Sequence, residues 1–180
     1  MTADPPPRLV TLRPLQEGDA SLHAAIPPSA EIARMYGGGS NAFAGPDPER
    51  SRRWLMGMQA DPYARMIETD GQPVGHIRLH SLVRADRRAR LAIGLFAEAD
   101  LGRGIGRQAI ARALDHAFGA MDLHRVDLRV LAFNTRAIRC YAACGFVHEG
   151  TEREAAFIDG QWHDDWIMAI LSHEHAASKA

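Results

Sequence analysis

The stretch Leu101-Gly102-Arg103-Gly104-Ile105-Gly106-Arg107-Gln108-Ala109 decides the fold, because the chain changes period on either side of it. Upstream, about Arg88 to Phe96 reads as a strand. Downstream, Ile105, Ala109, Ile110, Ala113, Leu114, Ala117, Phe118 and Met121 recur at three and four, with Arg107, Arg112, Asp115 and His116 on the other face. That is the pattern of an amphipathic helix over 103–121. A strand, a glycine-rich turn and a helix together form a phosphate-binding arrangement. Backbone N–H groups are unpaired at a helix start and the helix dipole adds partial positive charge there. Glycines let that backbone approach an anion closely, and Arg103 and Arg107 can add charge-assisted contacts.

Two phosphate-binding motifs compete for the turn. Gly104 to Ala109 satisfies the dinucleotide pattern G-x-G-x-x-A. That reading requires an acid at the end of the next strand to hold a ribose hydroxyl. Here the strand ends Leu131-Ala132-Phe133, with no carboxylate. A P-loop fails because no Gly-Lys-Ser/Thr follows. By its glycines alone, the turn is an anion site.

The elements around it narrow the choice. Tyr63 to Glu68 and Val74 to His80 read as strands joined at Asp70-Gly71, a strong hairpin turn. With the strand after Arg84 to Arg87 they form an antiparallel meander, not a series of parallel units. Val10 to Pro14 is a first strand, and Leu15 to Tyr36 is helical but broken at Pro27-Pro28. Gly37 to Pro48 has loop composition, and Pro48 begins a helix running to about Ala60. Val126, Leu128 and Val130 alternate as a strand. Asn134 then caps a helix with Ile138, Tyr141 and Ala142 on its apolar stripe, ended by Gly145. Two strands, about Phe146 to Phe157 and Trp162 to Leu171, flank Asp159-Gly160. These elements predict an α/β (α+β) domain over 8–172, with a disordered lead-in at 1–7 and a frayed tail at 173–180.

Bulk properties bound the function. The chain has 180 residues, 46% hydrophobic and 24% charged, and a formal net charge of −1. This charge gives no reason to expect a nucleic-acid partner. No apolar run is long enough for a membrane span, and the proline-rich start lacks the pattern of a signal peptide, so a cytoplasmic location is expected. Cys140 and Cys144, four apart on one helix, read as core-filling thiols.

Taken together, these residues resemble the GNAT superfamily of N-acetyltransferases, in its branch containing RimJ and RimL. The likeness runs from Leu12-Arg13-Pro14-Leu15 to His163-Asp164. It is strongest at Leu101 to Ala109 and from Leu123-His124-Arg125-Val126 through Asn134 to Tyr141 and Gly145-Phe146. The superfamily's turn is Q/R-x-x-G-x-G/A: Gly104, Ile105 and Gly106 match, while Leu101 stands where Gln or Arg is usual. The resemblance implies a mixed, mostly antiparallel sheet of about seven strands flanked by about four helices. The strand ending at Phe96 should splay from that at Val126 and open a cleft for acetyl-CoA, with no metal.

In that scheme Leu101, Gly102, Arg103, Gly104, Ile105 and Gly106 hold the cofactor's phosphates, and backbone groups of Phe96 pair with its pantetheine arm. Asn134 contacts the cofactor, and Tyr141 protonates the departing thiolate. The acceptor is an amine. A peptide or protein α-amine ranks first by branch likeness, with small-molecule amines and aminoglycosides next. Arg34 to Trp54 and the turn near Asp159 should rim its site. His76, His80 and Glu98 are candidate bases, none assigned. His163-Asp164-Asp165 and His173-Glu174-His175 invite a metal reading but fit the last strand and the tail. A non-catalytic acyl-CoA sensor is the alternative, and a homodimer is an expectation from the superfamily.

Overall fold

The chain runs β1 (Val10–Arg13), α1 (Asp19–Ala24), α2 (Ala30–Met35), α3 (Pro48–Gln59), β2 (Tyr63–Thr69), β3 (Gln72–Val83) and β4 (Arg88–Leu95). A 3-10 turn (Glu98–Asp100) leads to α4 (Ile105–Phe118), β5 (Arg125–Leu131), α5 (Thr135–Ala143), β6 (Val147–Ile158), β7 (Gln161–Leu171) and α6 (Ser172–Ala177). The computed structural model describes residues 9–27, 29–39 and 47–177. The expected lead-in at 1–7, and most of the glycine-rich loop after Gly39, lie outside the described residues.

The seven strands form one sheet in the order β1-β2-β3-β4-β5-β7-β6. Every pairing is antiparallel except β4 with β5. That parallel contact is brief, running only from Arg88↔Arg125 to Arg90↔Asp127. Beyond it, β4 stays paired with β3 as far as Leu95↔Gly75, and β5 stays paired with β7 as far as Leu131↔Asp165. Each strand is therefore held on its outer side while the two diverge, as the resemblance implies.

The two sheet faces carry different layers. Ile105, Ala109, Ile110, Ala113, Leu114 and Ala117 of α4 are buried in one cluster with Ile77, Leu79, Leu91 and Val126. Burial of a large aliphatic side chain of this kind contributes about 1.5–3 kcal/mol. Alternation along β3 sends His76 to the opposite face, where its ring meets Trp54 of α3. Trp54 stacks in turn on His23 of α1, with ring centroids 4.2 Å apart.

The described residues contain more helices than the four expected. The helical stretch after β1 divides, and Ser29 caps its second half by accepting the Ile32 N–H at 3.1 Å. The tail is the larger difference: from Ser172 onward it was expected to fray, yet α6 forms and docks. Glu174 Oε2 accepts the Leu171 N–H at 2.8 Å, and His175 Nε2 lies 2.8 Å from Asp115 Oδ1. The segment is polar because its polar side chains bind back onto the domain.

Candidate active site

Where β4 and β5 part, a cavity of about 610 Å³ opens. This lies in the usual size range of small-molecule and cofactor sites. Its walls are residues 91–95 of β4, the glycine turn, the end of β5 and the inner face of α5, with the end of α2 across the top.

At the turn, Gly102 and Gly104 have φ of 74° and 76°. A side chain is strained in that left-handed region, so glycine is required by the backbone itself. Gly104 is the N-cap of α4, whose first turn carries no acidic side chain. Gln108 is the first residue whose N–H bonds back, to Gly104 O at 3.1 Å. The amides of Ile105, Gly106 and Arg107 thus lack helical acceptors, as at any helix start. Leu101, Gly102, Gly104, Ile105 and Gly106 all line the cavity, whereas Arg103 does not. Arg107 and Arg139 do, and neither forms an ion pair among the described residues. A helix start beside two available guanidiniums fits a polyphosphate.

The edge of β4 faces the same space. Phe96, expected to pair with the pantetheine arm, donates its N–H to Val74 O at 2.9 Å and does not line the cavity. In an antiparallel pair, the N–H and C=O of one residue point to the same side. The backbone groups of Phe96 therefore point back to β3, and those of Ile93 and Leu95 point into the cleft. The strand was placed correctly, but the residue with free backbone groups was misjudged by one position.

Ile93 O has one partner among the described residues, the hydroxyl of Tyr36, which donates to it at 2.9 Å. Tyr36 closes α2, so its ring reaches down from the helix end to the strand. A Cβ at Gly94 would stand 1.6 Å from Tyr36 Oη and 3.0 Å from His76 Cε1. Gly94 does not have a positive φ. Its missing side chain makes room for the phenol.

Asn134 is buried, lines the cavity and caps α5 by accepting the Ala137 N–H at 3.1 Å. Its Nδ2 also donates to Met35 O at 3.5 Å, tying α5 to the end of α2. Tyr141 of α5 is buried and lines the cavity. Burial, with lesser contributions from Cys140 and Cys144, holds its phenol above the ordinary value. It is therefore protonated at neutral pH, and among the described residues its hydroxyl has no hydrogen-bond partner. Cys140 and Cys144 are free thiols packed against the core cluster, and Cys140 also lines the cavity.

None of the three candidate bases lines the cavity. Burial, reinforced by Arg78 and His23, pushes His76 down to about 3. Its Nδ1 is buried without a partner among the described residues. His80 Nδ1 lies 2.9 Å from Ser81 Oγ, and Glu98 accepts the Ser29 hydroxyl at 2.6 Å. Among the described residues no three His, Cys, Asp or Glu side chains are grouped to hold a metal. Tyr36, Arg139 and the backbone of Ile93 were not singled out from the sequence. Gly94 was the available signal: a glycine inside a strand marks a close approach by another group.

Comparisons with known proteins match this geometry. The model of the acetyltransferase (GNAT) domain matches residues 9–147. The spermidine N(1)-acetyltransferase of Vibrio cholerae is 34% identical over 113 residues, 62% of this chain and 65% of that protein. Its Escherichia coli K12 counterpart is 31% identical over 112 residues, 62% of this chain and 60% of that protein. The matched region thus spans less than two thirds of the length of either. YdaF of Bacillus subtilis, named as a candidate ribosomal N-acetyltransferase, is 28% identical over 134 residues, 74% of this chain and 70% of that protein. A crystal structure of the Vibrio cholerae spermidine N-acetyltransferase, in complex with CoA and spermine, aligns with a TM-score of 0.79 at 27% identity. That alignment covers 93% of this chain and 98% of the other.

Proposed function

The chain belongs to the acetyltransferase (GNAT) domain family, and from that premise we propose that it transfers the acetyl group of acetyl-CoA to a primary amine. The observation that carries this reading is the meeting, in one cavity, of the α4 N-terminus and the cleft-facing edge of β4, on which Ile93 O is held by Tyr36 and the other groups face the cleft. The first suits the phosphates of the donor, and the second suits the amides of its pantetheine arm. Arg107 and Arg139 neutralise phosphate charge, and Asn134 holds the α5 wall in place.

The chemistry follows from the groups that remain. Cleft-facing N–H groups on β4 are placed to polarise a thioester carbonyl. As the amine nitrogen bonds to the acyl carbon and the carbon–sulfur bond breaks, Tyr141 gives its proton to the leaving sulfur. The nitrogen's surplus proton passes to water, and the Tyr141 phenolate takes a proton back from water, so no net proton is released. No side-chain base is assigned. Juxtaposition of amine and thioester in one cleft supplies much of the remaining rate.

For the acceptor, a polyamine now ranks ahead of a peptide α-amine. The earlier ranking rested on branch likeness alone, and two relatives above 30% identity are spermidine acetyltransferases. The test is thiol release from acetyl-CoA with spermidine, spermine, free-N-terminus peptides and aminoglycosides. The expected order puts spermidine or spermine first in kcat/KM. Preference for a peptide would overturn the acceptor assignment. Donor binding without thiol release on any amine would favour the sensor alternative.

A further inference from the structure

We infer that Tyr36 binds the acceptor amine: its proton is pinned on Ile93 O, so its oxygen faces the cavity as a hydrogen-bond acceptor for the incoming N–H. The inference rests on the acetyl-transfer reading and assigns a residue to its acceptor side, where Tyr141 serves the donor side. Three observations carry it. The hydroxyl of Tyr36 donates to Ile93 O at 2.9 Å. A hydroxyl has one proton to give and two lone pairs, so this bond leaves it only accepting capacity towards a substrate. The group that can satisfy it is an N–H donor; the amine supplies one at the reacting end of the cleft, and the pantetheine amides, the other N–H groups that reach this cavity, are distinguished by their effect on donor affinity.

The second observation is the room made for the phenol. Even an alanine at Gly94 would put its Cβ 1.6 Å from the hydroxyl and 2.6 Å from Cζ. The strand lacks a side chain where Tyr36 comes down, without the backbone requiring a glycine. The third is the partition of roles between the two phenols. Tyr141 lines the same cavity and is near enough to Tyr36 to affect it electrostatically. Among the described residues the proton of Tyr141 is unbonded, while that of Tyr36 is committed. One phenol is set up to donate and the other to accept, within one cavity. A phenol ordinarily titrates near 10, so that of Tyr36 too is protonated at neutral pH.

Tyr36→Phe keeps the ring and removes the oxygen. As a residue Tyr36 is half exposed, so the fold should be kept, with the melting temperature lowered by no more than a few degrees for the lost bond to Ile93 O. Acetyl-CoA affinity by calorimetry should stay within about twofold. The KM for spermidine should rise roughly 10- to 100-fold, the range expected for losing a hydrogen bond to a charged group such as an ammonium. Gly94→Ala, which pushes the phenol off the strand, should give the same amine defect. An unchanged amine KM in either folded variant, or an equal loss of donor affinity, overturns the assignment. Spermidine binding to the CoA-loaded protein, measured by calorimetry, reads the contact without turnover. If the parent binds spermidine, Tyr36→Phe weakens that binding and neither turns over, the transfer reading fails and the role of Tyr36 stands.

Discussion

The Nδ1 of His76 and the side chain of Tyr141 are both buried, and burial acts on the two groups in opposite senses. A buried imidazole is held neutral at low pH, and a buried phenol is held neutral at high pH. For His76 the linkage sign follows from its folded value of about 3 against an ordinary imidazole value of 6.5. Below pH 6.5 the unfolded chain takes up a proton that the folded chain does not. Its contribution is therefore full above pH 6.5 and is lost as pH falls towards 3, with a slope approaching about 1.4 kcal/mol per pH unit. His76→Leu should narrow its stability gap to the parent between pH 7 and pH 5 in denaturant melts. A constant gap would mean that His76 protonates freely in the fold. For Tyr141, replacement by Phe should lower kcat by about 10²-fold or more, as loss of a general acid does, and leave acetyl-CoA affinity unchanged. Unchanged turnover would remove Tyr141 from the mechanism. The resemblance pointed to Tyr141 and Asn134, which line the cavity, because each sits at a fixed offset inside a recognisable helix. Tyr36 fell inside the stretch Arg34 to Trp54 expected to rim the acceptor site but was not singled out, because its partner lies 57 residues away on another strand.

The glycine turn and α4 act as one element, and their glycines are not equivalent. Gly104 has positive φ, with no atom near a would-be Cβ. The cost of a side chain there is conformational, about 1–2 kcal/mol. Gly106 is helical, and its Cβ would meet only Cys140 Sγ at 3.5 Å, an ordinary contact. Gly106→Ala should therefore fold with parent stability, while Gly104→Ala should melt lower. Gly104→Asp and Gly106→Asp should each abolish acetyl-CoA binding by placing a like charge at the phosphate site. Normal calorimetric binding in both Asp variants would overturn the phosphate assignment. Element positions were legible because period and punctuation agree along most of the chain: Asp70-Gly71 turned β2 into β3, and Asn134 and Gly145 bracketed α5. The docking of α6 was not, since nothing local in Ser172 to Ala177 reveals that His175 meets Asp115. The one-residue error at Phe96 has a similar origin. Alternation locates a strand, but only its hydrogen-bond register tells which residues present free backbone groups to the cleft.

At the scale of the molecule, α2 lies across the mouth of the cleft and is tied to both of its walls. On the β4 side, Tyr36 bonds Ile93 O, and Ser29 bonds Glu98 in the 3-10 turn. On the α5 side, Asn134 donates to Met35 O, Arg136 lies 3.4 Å from Glu31, and the Arg34 guanidinium sits 4.5 Å from the Phe133 ring centre. The exposed ion pair contributes little alone, and six residues cannot form a stable helix unaided. The order of α2 must therefore come from the walls it bridges, and a ligand that fixes the walls should fix α2. Acetyl-CoA at about 100 times its dissociation constant should add about 2.7 kcal/mol of stability. For a domain of this size that is a rise of roughly 5–10 °C in melting temperature. Hydrogen exchange should slow in α4 and β4, which touch the donor, and also across residues 30–36. Protection confined to α4, β4 and α5 would mean that α2 is independent of the donor site. Protection extending to α2 would mean that the donor orders the helix that carries Tyr36, so the acceptor side of the cleft is completed only after the acetyl group is in place.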